Sequence, residues 1–486
     1  MRQLSLYILL IALFLGCLAP VNAQEVKHPK IVSFEDGKLS SDFSTSKGSE
    51  LVLSDKYHRD GQHSLQWNYT KGATLSFKQA IDFEPKDPTG KDTYLSTFVV
   101  WVYNDKPKDE QIRFAFYKDN KECCSFPFNI NFKGWRAAWV CFERDMIGKP
   151  EPGMNALRIT APSSAGTLCF DQMVLASKTD HRHQTADLQV PFVNAETDSH
   201  WLVVLNRSFL KPDIALEKSV SVSEQKDMKL IEKRFKELIY TPGKLTEQTM
   251  QSLRSKFQNY NIVLKDGVIT GKPIYFARAA EAYERFLPNW DKDLYTNQGM
   301  EIKAYFDVMN SIAIAYNNAE NQTWKDELKS MFLLMYQYAA DQGIAYGSCL
   351  GNFTHYGYSF RGFYTAYFLM KDVLIEAGKL EEARKAMQWY AMTNEVYINP
   401  TAPGMDMDSF NTMTTGRIAS ILIMEDSPEK VQYLKSFSRW INNGCLPANG
   451  LADAFKKDGG AFHHRNNYPA YAVGGLDGAS NMIYLL

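Results

Sequence analysis

The sequence has few cysteines, almost no net charge and no long apolar run after the first one, and each of these shortages excludes a class of protein. Seven cysteines in 486 residues are too sparse for a disulfide scaffold, and their spacing lacks the pairs of a zinc site. A formal net charge of -1 argues against a nucleic-acid binder, which is usually strongly basic. The apolar fraction of 45% is ordinary for a globular protein, and the length predicts two or three domains.

The long apolar run lies at the N-terminus and is typical of a secretory signal. Arg2 precedes the run from Leu4 to Leu18, and the small residues ending at Ala23 predict cleavage before Gln24. The run is too short for a membrane span, and no later segment is a candidate for a transmembrane helix. We therefore expect residues 1–23 to be a signal peptide and the mature protein to be secreted or periplasmic. Cys17 keeps lipid attachment open as a minor alternative.

Residues 24–176 are predicted to form an all-β sandwich. Strand-length runs separated by turn signals are typical of that fold. The runs are Glu50–Leu53, Ser64–Tyr69, Leu95–Tyr103, Ile112–Tyr117, Phe126–Phe132, Trp135–Phe142, Leu157–Ile159 and Leu168–Phe170. Cys141 and Cys169 can form a disulfide if their strands are neighbours; otherwise both are buried thiols.

Acidic residues near both ends of this region raise the question of a metal. Glu35 and Asp171 stand in short segments that look like parts of a jelly-roll sugar-binding module. Such modules often hold a structural calcium ion through carboxylates and carbonyls. The alternative is that these acids cap turns, so a structural calcium ion is one of two interpretations.

The apolar period changes from two to between three and four after residue 222. Residues 177–222 are polar and are predicted to be a linker, although His181, His183 and His200 fall within it. From residue 223 onward we predict about eight amphipathic helices with no strand between them. The longer ones are Glu301–Asn318, Lys325–Gln342, Phe360–Ala377, Leu380–Asn394, Met407–Met424 and Pro428–Asn442. Antiparallel helix pairs repeated along a chain can close into an incomplete α/α toroid with a central cleft.

The segment Asp458–Tyr471 concentrates two imidazoles, a guanidinium, two carboxamides and two phenols within fourteen residues. Pro469 removes a backbone donor, so His464 and Tyr471 are not expected two turns apart on one regular helix. A curved loop can bring both side chains to one point, and catalytic groups concentrate on loops. We interpret the segment as an active-site loop; the alternative is a loop that only packs.

Several motifs in a fixed order resemble a known family. They include Ser64–Trp67, Gly134–Ala137, Met331–Met335, Thr354–Ser359, Asp406–Thr412 and His464–Tyr471. Together, from about Asp42 to Leu486, they are similar to the chondroitin sulfate ABC lyases, secreted bacterial polysaccharide lyases of family eight. The resemblance implies a jelly-roll β-sandwich and then an incomplete α/α toroid, followed in the family by large antiparallel β domains. Because the last helix stops on two leucines, we expect a longer parent protein that continues beyond Leu486.

The resemblance also implies the chemistry. The family cleaves chondroitin and dermatan sulfates by β-elimination, without a cofactor for the reaction, and we expect the chain to act as a monomer on this glycosaminoglycan. The resemblance implies Tyr471 as the acid, and as the base for glucuronate. It implies His464 as the base for iduronate and His355 as the group against the uronate carboxylate. Candidate substrate-binding residues are Asn411, Tyr356, Tyr358, Arg361, Arg465 and Asn467.

Alternatives to catalysis by this chain stay open. In the family an arginine and a glutamate from beyond this chain's end complete the site, and nothing in the sequence makes Arg361, Arg417 or Arg465 a substitute. If these two residues are required, the chain is a glycosaminoglycan-binding fragment that does not cleave the polysaccharide. Asp406 and Asp408 suggest a different enzyme class, a glycosidase that uses two carboxylates. Acidic residues at this position also stabilise a helix N-terminus.

Single residues also have structural interpretations. His355 can be a packed core histidine, and Asn411 can cap its helix. The aromatic residues from Tyr356 to Phe363 can stack on sugar rings, but an aromatic stripe at helical spacing is more often core.

Overall fold

A computed structural model describes residues 31–32, 34–59, 61–91, 94–180, 184–194, 204–274, 301–351 and 356–486. The predicted signal peptide 1–23 lies outside the described residues, as do His355 and the three linker histidines. Predictions that concern these residues therefore stay predictions.

The first part of the chain is two antiparallel sheets packed face to face. One sheet has the strand order β3-β4-β12-β6-β9, with β1 added beside β12; the other has the order β10-β8-β7-β11-β5-β2. Phe98 of the first sheet contacts Phe114 and Phe116 of the second, with ring centroids 5.6 and 5.2 Å apart. The predicted β-sandwich is confirmed at this level of antiparallel sheets around a shared core.

The strands are β1 (Ile31–Val32), β2 (Phe43–Thr45), β3 (Glu50–Ser54), β4 (Ser64–Tyr69), β5 (Thr74–Phe77), β6 (Tyr94–Asn104), β7 (Gln111–Lys118), β8 (Lys121–Asn129), β9 (Gly134–Cys141), β10 (Ile147–Gly148), β11 (Ala156–Thr160) and β12 (Gly166–Asp180), with the short helix α1 (Phe142–Asp145) after β9. The largest differences from the predicted bounds are in β8 and β12. β8 begins five residues before Phe126, and β12 continues four residues into the predicted linker. The second extension occurs because β12 pairs with β6 as far as Asp180 opposite Tyr94.

Cys141 and Cys169 do not form a disulfide. Cys141 lies on β9 opposite Thr97, and Cys169 lies on β12 opposite Tyr103, so β6 separates them. Two strand spacings across the sheet and the six-residue offset between Thr97 and Tyr103 along β6 put them roughly 20 Å apart, beyond the reach of a disulfide. Both side chains are buried thiols, which confirms that interpretation.

The first sheet is covered on both faces. Successive residues of a strand point to opposite sides, and on β6 Phe98, Val100 and Val102 face the sandwich core while Val99 and Trp101 join the core of the helical region. Arg59 strengthens this junction: its guanidinium lies 4.2 Å from the centroid of the Trp101 ring and donates to the carbonyl of Ile274, in the helical part of the chain, at 2.7 Å. The β-sandwich and the helices therefore share one apolar interface.

The rest of the chain is mainly helical. The helices are α2 (Val204–Ser208), α3 (Val222–Ile239), α4 (Glu247–Gln258), α5 (Ile302–Asn318), α6 (Gln322–Asp341), α7 (Tyr356–Ser359), α8 (Arg361–Leu369), α9 (Lys371–Glu376), α10 (Leu380–Tyr390), α11 (Met407–Thr412), α12 (Thr414–Leu422), α13 (Pro428–Gly444) and α14 (Pro469–Leu485), with a 3-10 turn at Thr393–Tyr397. None of the described helices is both long and apolar enough to cross a bilayer.

Three details of the helical prediction were wrong. The hairpin β13–β14 (Val263–Lys265 and Val268–Thr270) lies between helices where no strand was expected. The helix predicted for Phe360–Ala377 breaks at Met370, and the one predicted for Met407–Met424 breaks at Met413. Neither break is marked by proline. The second break follows the short helix that carries the candidate site.

Candidate active site

The segment predicted as a loop is a hairpin followed by a helix. Strands β15 (Phe462–His463) and β16 (Asn466–Asn467) pair around a two-residue turn, His464-Arg465, whose φ angles are 52° and 59°. Pro469 then occupies the first turn of α14, where its missing N–H costs nothing. His464 and Tyr471 are therefore not on one helix, as predicted, but Tyr471 is held in a helical first turn.

His463, which the sequence analysis did not single out, is the buried histidine of the pair. It is 5% exposed, whereas His464 is exposed at the turn. The His463 Nδ1–H donates to Asp406 Oδ2 at 2.9 Å. Asp406 is the N-cap of α11, and its other oxygen accepts the backbone N–H of Asp408 at 2.7 Å. Asp406 thus caps its helix as the alternative interpretation required, and it also orients an imidazole.

Three aromatic rings surround His463. Its ring is 4.1 Å from the Tyr471 ring with an interplanar angle of 26°, and 3.8 Å from the His464 ring. The Tyr468 ring lies 6.0 Å from the His463 ring and edge-on to Tyr471 at 4.9 Å. The predicted convergence of His464 and Tyr471 is therefore mediated by a third ring that both of them touch.

A second network joins three of the candidate substrate-binding residues. The Tyr358 hydroxyl donates to Asp408 Oδ1 at 3.0 Å, and Asn411 Nδ2 donates to the same hydroxyl at 3.3 Å. Arg361 donates to the Asn411 side-chain oxygen at 3.0 Å, and its guanidinium lies 5.0 Å from the centroid of the Tyr358 ring. The network holds a guanidinium, a carboxamide and a phenol at one place.

Glycines of α14 bring the two networks together. A Cβ at Gly474 would lie 2.7 Å from Asn411 Cγ, and one at Gly475 would lie 2.8 Å from the Met407 sulfur. A Cβ at Gly478 would meet the Phe410 backbone. Glycine in a helix costs about 1 kcal/mol relative to alanine, so these positions trade helix stability for close approach to α11. The approach sets Tyr471 beside the residues of α11.

The surroundings keep both phenols protonated. Burial raises the pKa of Tyr358 to about 12, with the Asp408 carboxylate adding to the rise. The pKa of Tyr471 is raised by burial first and then by Asp408, Tyr468 and Asp406. A neighbouring negative charge disfavours a phenolate. Both phenols therefore keep their protons at neutral pH, and the Tyr358 proton is donated to Asp408.

The remaining candidate residues differ in their exposure to solvent. Arg465 and Asn467 are exposed on the hairpin. Tyr356 lies on α7, with its side chain outside the described residues. Phe360 and Phe363 are fully buried core residues, as the interpretation of the aromatic stripe as core required. Arg417 is fully buried against Glu395 at 2.8 Å, so it does not serve a substrate.

One group of possible metal ligands lies in the described part of the chain. Ligand atoms of Asp406, Asp453 and His463 lie within 4.8 Å of one another. Asp453 also accepts the Arg465 backbone N–H at 2.7 Å. In the β-sandwich, Glu35 accepts the Gln62 and His63 backbone N–H groups.

The other acid proposed for calcium, Asp171, is 1% exposed. It accepts the backbone N–H groups of Arg59 and Gln172, each at 2.7 Å. Both Glu35 and Asp171 therefore fix turns, and the structural calcium ion stays a prediction.

The chain is a β-sandwich followed by helices that gather imidazoles, phenols and carboxylates, and comparisons with known proteins give its family. Residues 214–486 match the family described as "Lyase, catalytic", and residues 28–192 match "Lyase, N terminal". The chain belongs to this lyase family, which confirms the resemblance drawn from its motifs.

Curated relatives are named as chondroitin sulfate ABC lyases. The chain is 59% identical to a chondroitin sulfate ABC exolyase of Bacteroides thetaiotaomicron over 96% of this chain and 46% of that protein. It is 29% identical to a chondroitin sulfate ABC exolyase of Proteus vulgaris, over 93% of this chain and 46% of that protein. The chain spans about half the length of the curated relatives it matches.

Among solved structures, the sandwich is similar to a family 22 carbohydrate-binding module of Clostridium thermocellum. The two are 14% identical, with a TM-score of 0.22, over 31% of this chain and 92% of that one. This likeness is too weak to carry any argument about function.

Proposed function

We propose that the protein is a polysaccharide lyase that cleaves chondroitin sulfate and dermatan sulfate by β-elimination at the uronic acid, giving unsaturated oligosaccharides. The observation that carries the proposal is the cluster of Tyr471, His463 and His464 beside the network of Tyr358 and Asn411, within the part of the chain that matches the lyase catalytic family. The names of the curated relatives supply the substrate class.

The elimination needs three functions. A base removes the C5 proton of the uronate, the C–H electron pair forms the C4–C5 double bond, and the C4–O4 bond breaks while an acid protonates the leaving oxygen. The adjacent carboxylate must be neutralised, because negative charge develops on it as the proton leaves. His355 remains our candidate for the group that neutralises this carboxylate. Arg361 is a cation in the described cluster.

Tyr471 suits the role of the acid. Its pKa is raised, so the phenol carries a proton at neutral pH, which it can give to O4. Its use as the base for glucuronate needs a positive charge that lowers the pKa, and the groups acting on it among the described residues all raise it. His464, exposed at the hairpin turn, is our candidate base for iduronate.

The glycosidase alternative has little support. A glycosidase needs two carboxylates that face the scissile bond. Asp406 is occupied by the helix N-terminus and by His463, and Asp408 is 2% exposed and accepts the Tyr358 hydroxyl. Neither acid is arranged to face a sugar.

The finer architecture and the location belong to the same proposal. We infer a jelly-roll arrangement for the sandwich and an incomplete α/α toroid for the helices, supported by the antiparallel sheets and by successive packed helices. Secretion is supported by the apolar run that starts at Leu4 and by the small residues before Gln24.

Incubating the chain with chondroitin sulfate and with dermatan sulfate tests the proposal. Ultraviolet absorbance from an unsaturated product is the expected result. New reducing ends without that absorbance would indicate hydrolysis and contradict the proposal. Retention on a chondroitin column with no product at all would identify a binding fragment and also contradict it.

A further inference from the structure

His463 is a buried imidazole whose position is determined by its surroundings on two sides. Its Nδ1–H donates to Asp406 Oδ2 at 2.9 Å. Asp406 is itself fixed, since its Oδ1 accepts the backbone N–H groups of Asp408 at 2.7 Å and Ser409 at 3.3 Å. The first turn of α11 therefore determines where the His463 ring lies.

The His463 ring in turn contacts both candidate proton-transfer groups. The Tyr471 ring is nearly parallel to it at 4.1 Å, and the His464 ring lies at 3.8 Å. Tyr471 is partly exposed in the first turn of α14, so its ring needs neighbours that restrict its rotation. Among the described residues, the rings that contact it are those of His463 and Tyr468. Tyr468 is itself 40% exposed, so His463 is the more rigid of these two contacts.

We propose that His463, oriented by Asp406, is a positioning residue that holds the Tyr471 ring, and the neighbouring His464 ring, in the geometry needed for the elimination. The inference rests on the proposed lyase function. His463 does not itself exchange a proton with the sugar: its Nδ1–H is committed to Asp406 and its side chain is 6% exposed. Proton transfer requires hydrogen-bond distance between the phenol and O4, and a displacement of about 1 Å can cost roughly 100-fold in rate.

Three substitutions at this one position separate stacking from hydrogen bonding. His463→Phe keeps a flat ring against Tyr471 but loses the donor to Asp406. His463→Asn keeps a side-chain N–H donor but loses the ring, and His463→Ala loses both. The rate of unsaturated product formation from chondroitin sulfate is measured as kcat and KM for each variant of the full chain, and thermal unfolding is recorded in parallel.

Positioning by stacking predicts an ordered result. His463→Ala and His463→Asn lower kcat by about 100-fold with KM changed less than about threefold, and His463→Phe recovers to within about tenfold of the parent. A purely structural role predicts instead that kcat follows the unfolding temperature in all three variants. The proposal is overturned if His463→Asn is the variant that recovers, if His463→Ala keeps the parent kcat, or if KM changes and kcat does not.

The failure of this proposal and the failure of the lyase function are distinguishable. If the unsubstituted chain gives no unsaturated product, the lyase function fails. Crystal structures of the unsubstituted chain and of His463→Ala then decide the positioning role. A Tyr471 ring that rotates or shifts in the variant supports it, and a ring that stays in place overturns it.

Discussion

Gly478 offers a test of how the site is held, because it lies where α14 crosses α11. A Cβ added there would lie 2.7 Å from the Phe410 carbonyl carbon and closer still to its oxygen, whereas ordinary van der Waals contact begins at 3.4 Å. The obstacle is backbone, so no side-chain rotation relieves it. We expect Gly478→Ala to push the two helices apart by about 1 Å, a small local shift that a close-packed interior transmits.

The free-energy terms of this substitution oppose each other. Alanine gains about 1 kcal/mol of helix propensity over glycine, and overpacking costs about 1–3 kcal/mol. The net loss of stability is therefore at most about 2 kcal/mol. Activity suffers more, since Tyr471 lies two turns away on the same helix and moves with it. A displacement of that size lowers kcat by about 100-fold.

The assay compares denaturant unfolding and lyase rate for the parent chain, Gly478→Ala and a matched control. Ser480→Ala puts the same alanine side chain at an exposed position of the same helix, where only a hydroxyl is lost, and is expected to change both measurements little. If Gly478→Ala is as active as the parent chain, or loses stability and activity in proportion, the close approach of α11 and α14 does not position Tyr471.

Two further predictions concern stability. Lys430→Met removes a buried ammonium paired with Glu232 and Asp426. It should lower the free energy of unfolding in urea by about 2 kcal/mol, less than for a fully buried pair because both acids regain water. Lys435→Met, on the exposed side of the same helix, should lower it by less than about 1 kcal/mol, and equal losses would contradict the reasoning. Burial raises the pKa of Asp187 to about 6, so the folded state keeps a proton that the unfolded chain releases near pH 4, and the stability it contributes is lost as pH rises from about 4 to about 6. Asp187→Asn should remove that part of the pH dependence. It should also destabilise the chain by about 1–3 kcal/mol, because the asparagine NH2 group would face the Cys349 N–H, which now donates to the Asp187 carboxyl. If the free energy of unfolding in urea differs between pH 4 and pH 7 as much in the variant as in the parent chain, the assignment is contradicted.

The spacing of apolar residues predicted the order of strands and helices, because burial rather than local propensity determines which segments form each of them. Alternating runs became strands and the apolar stripes became helices. The breaks at Met370 and Met413 were missed because apolar residues recur at helical spacing on both sides of each break, and neither stretch contains proline. The end of β12 was missed because its last residues are polar and its pairing partner, β6, is more than sixty residues earlier in the chain.

At the site, chemistry was easier to predict than geometry. Tyr471 and His464 were identified from residue type and from the family resemblance, whereas His463 was passed over beside an identical neighbour. The hairpin would have revealed it, because His463 is the last, buried residue of β15, whereas His464 begins the exposed turn. That hairpin lacks the usual Asn-Gly signature: His464 and Arg465 both adopt positive φ, which glycine and asparagine do far more readily. Such strained turns are enriched at functional sites.

The most direct test of the account is the rate of unsaturated product formation from chondroitin sulfate by the unsubstituted chain and by Tyr471→Phe. The substitution keeps the ring that stacks on His463 and removes the phenolic proton, so the site stays in place while the acid is lost. We predict a measurable rate for the unsubstituted chain and a loss of at least about 100-fold for the variant. Turnover by Tyr471→Phe at the rate of the unsubstituted chain would contradict the assignment of Tyr471 as the proton donor.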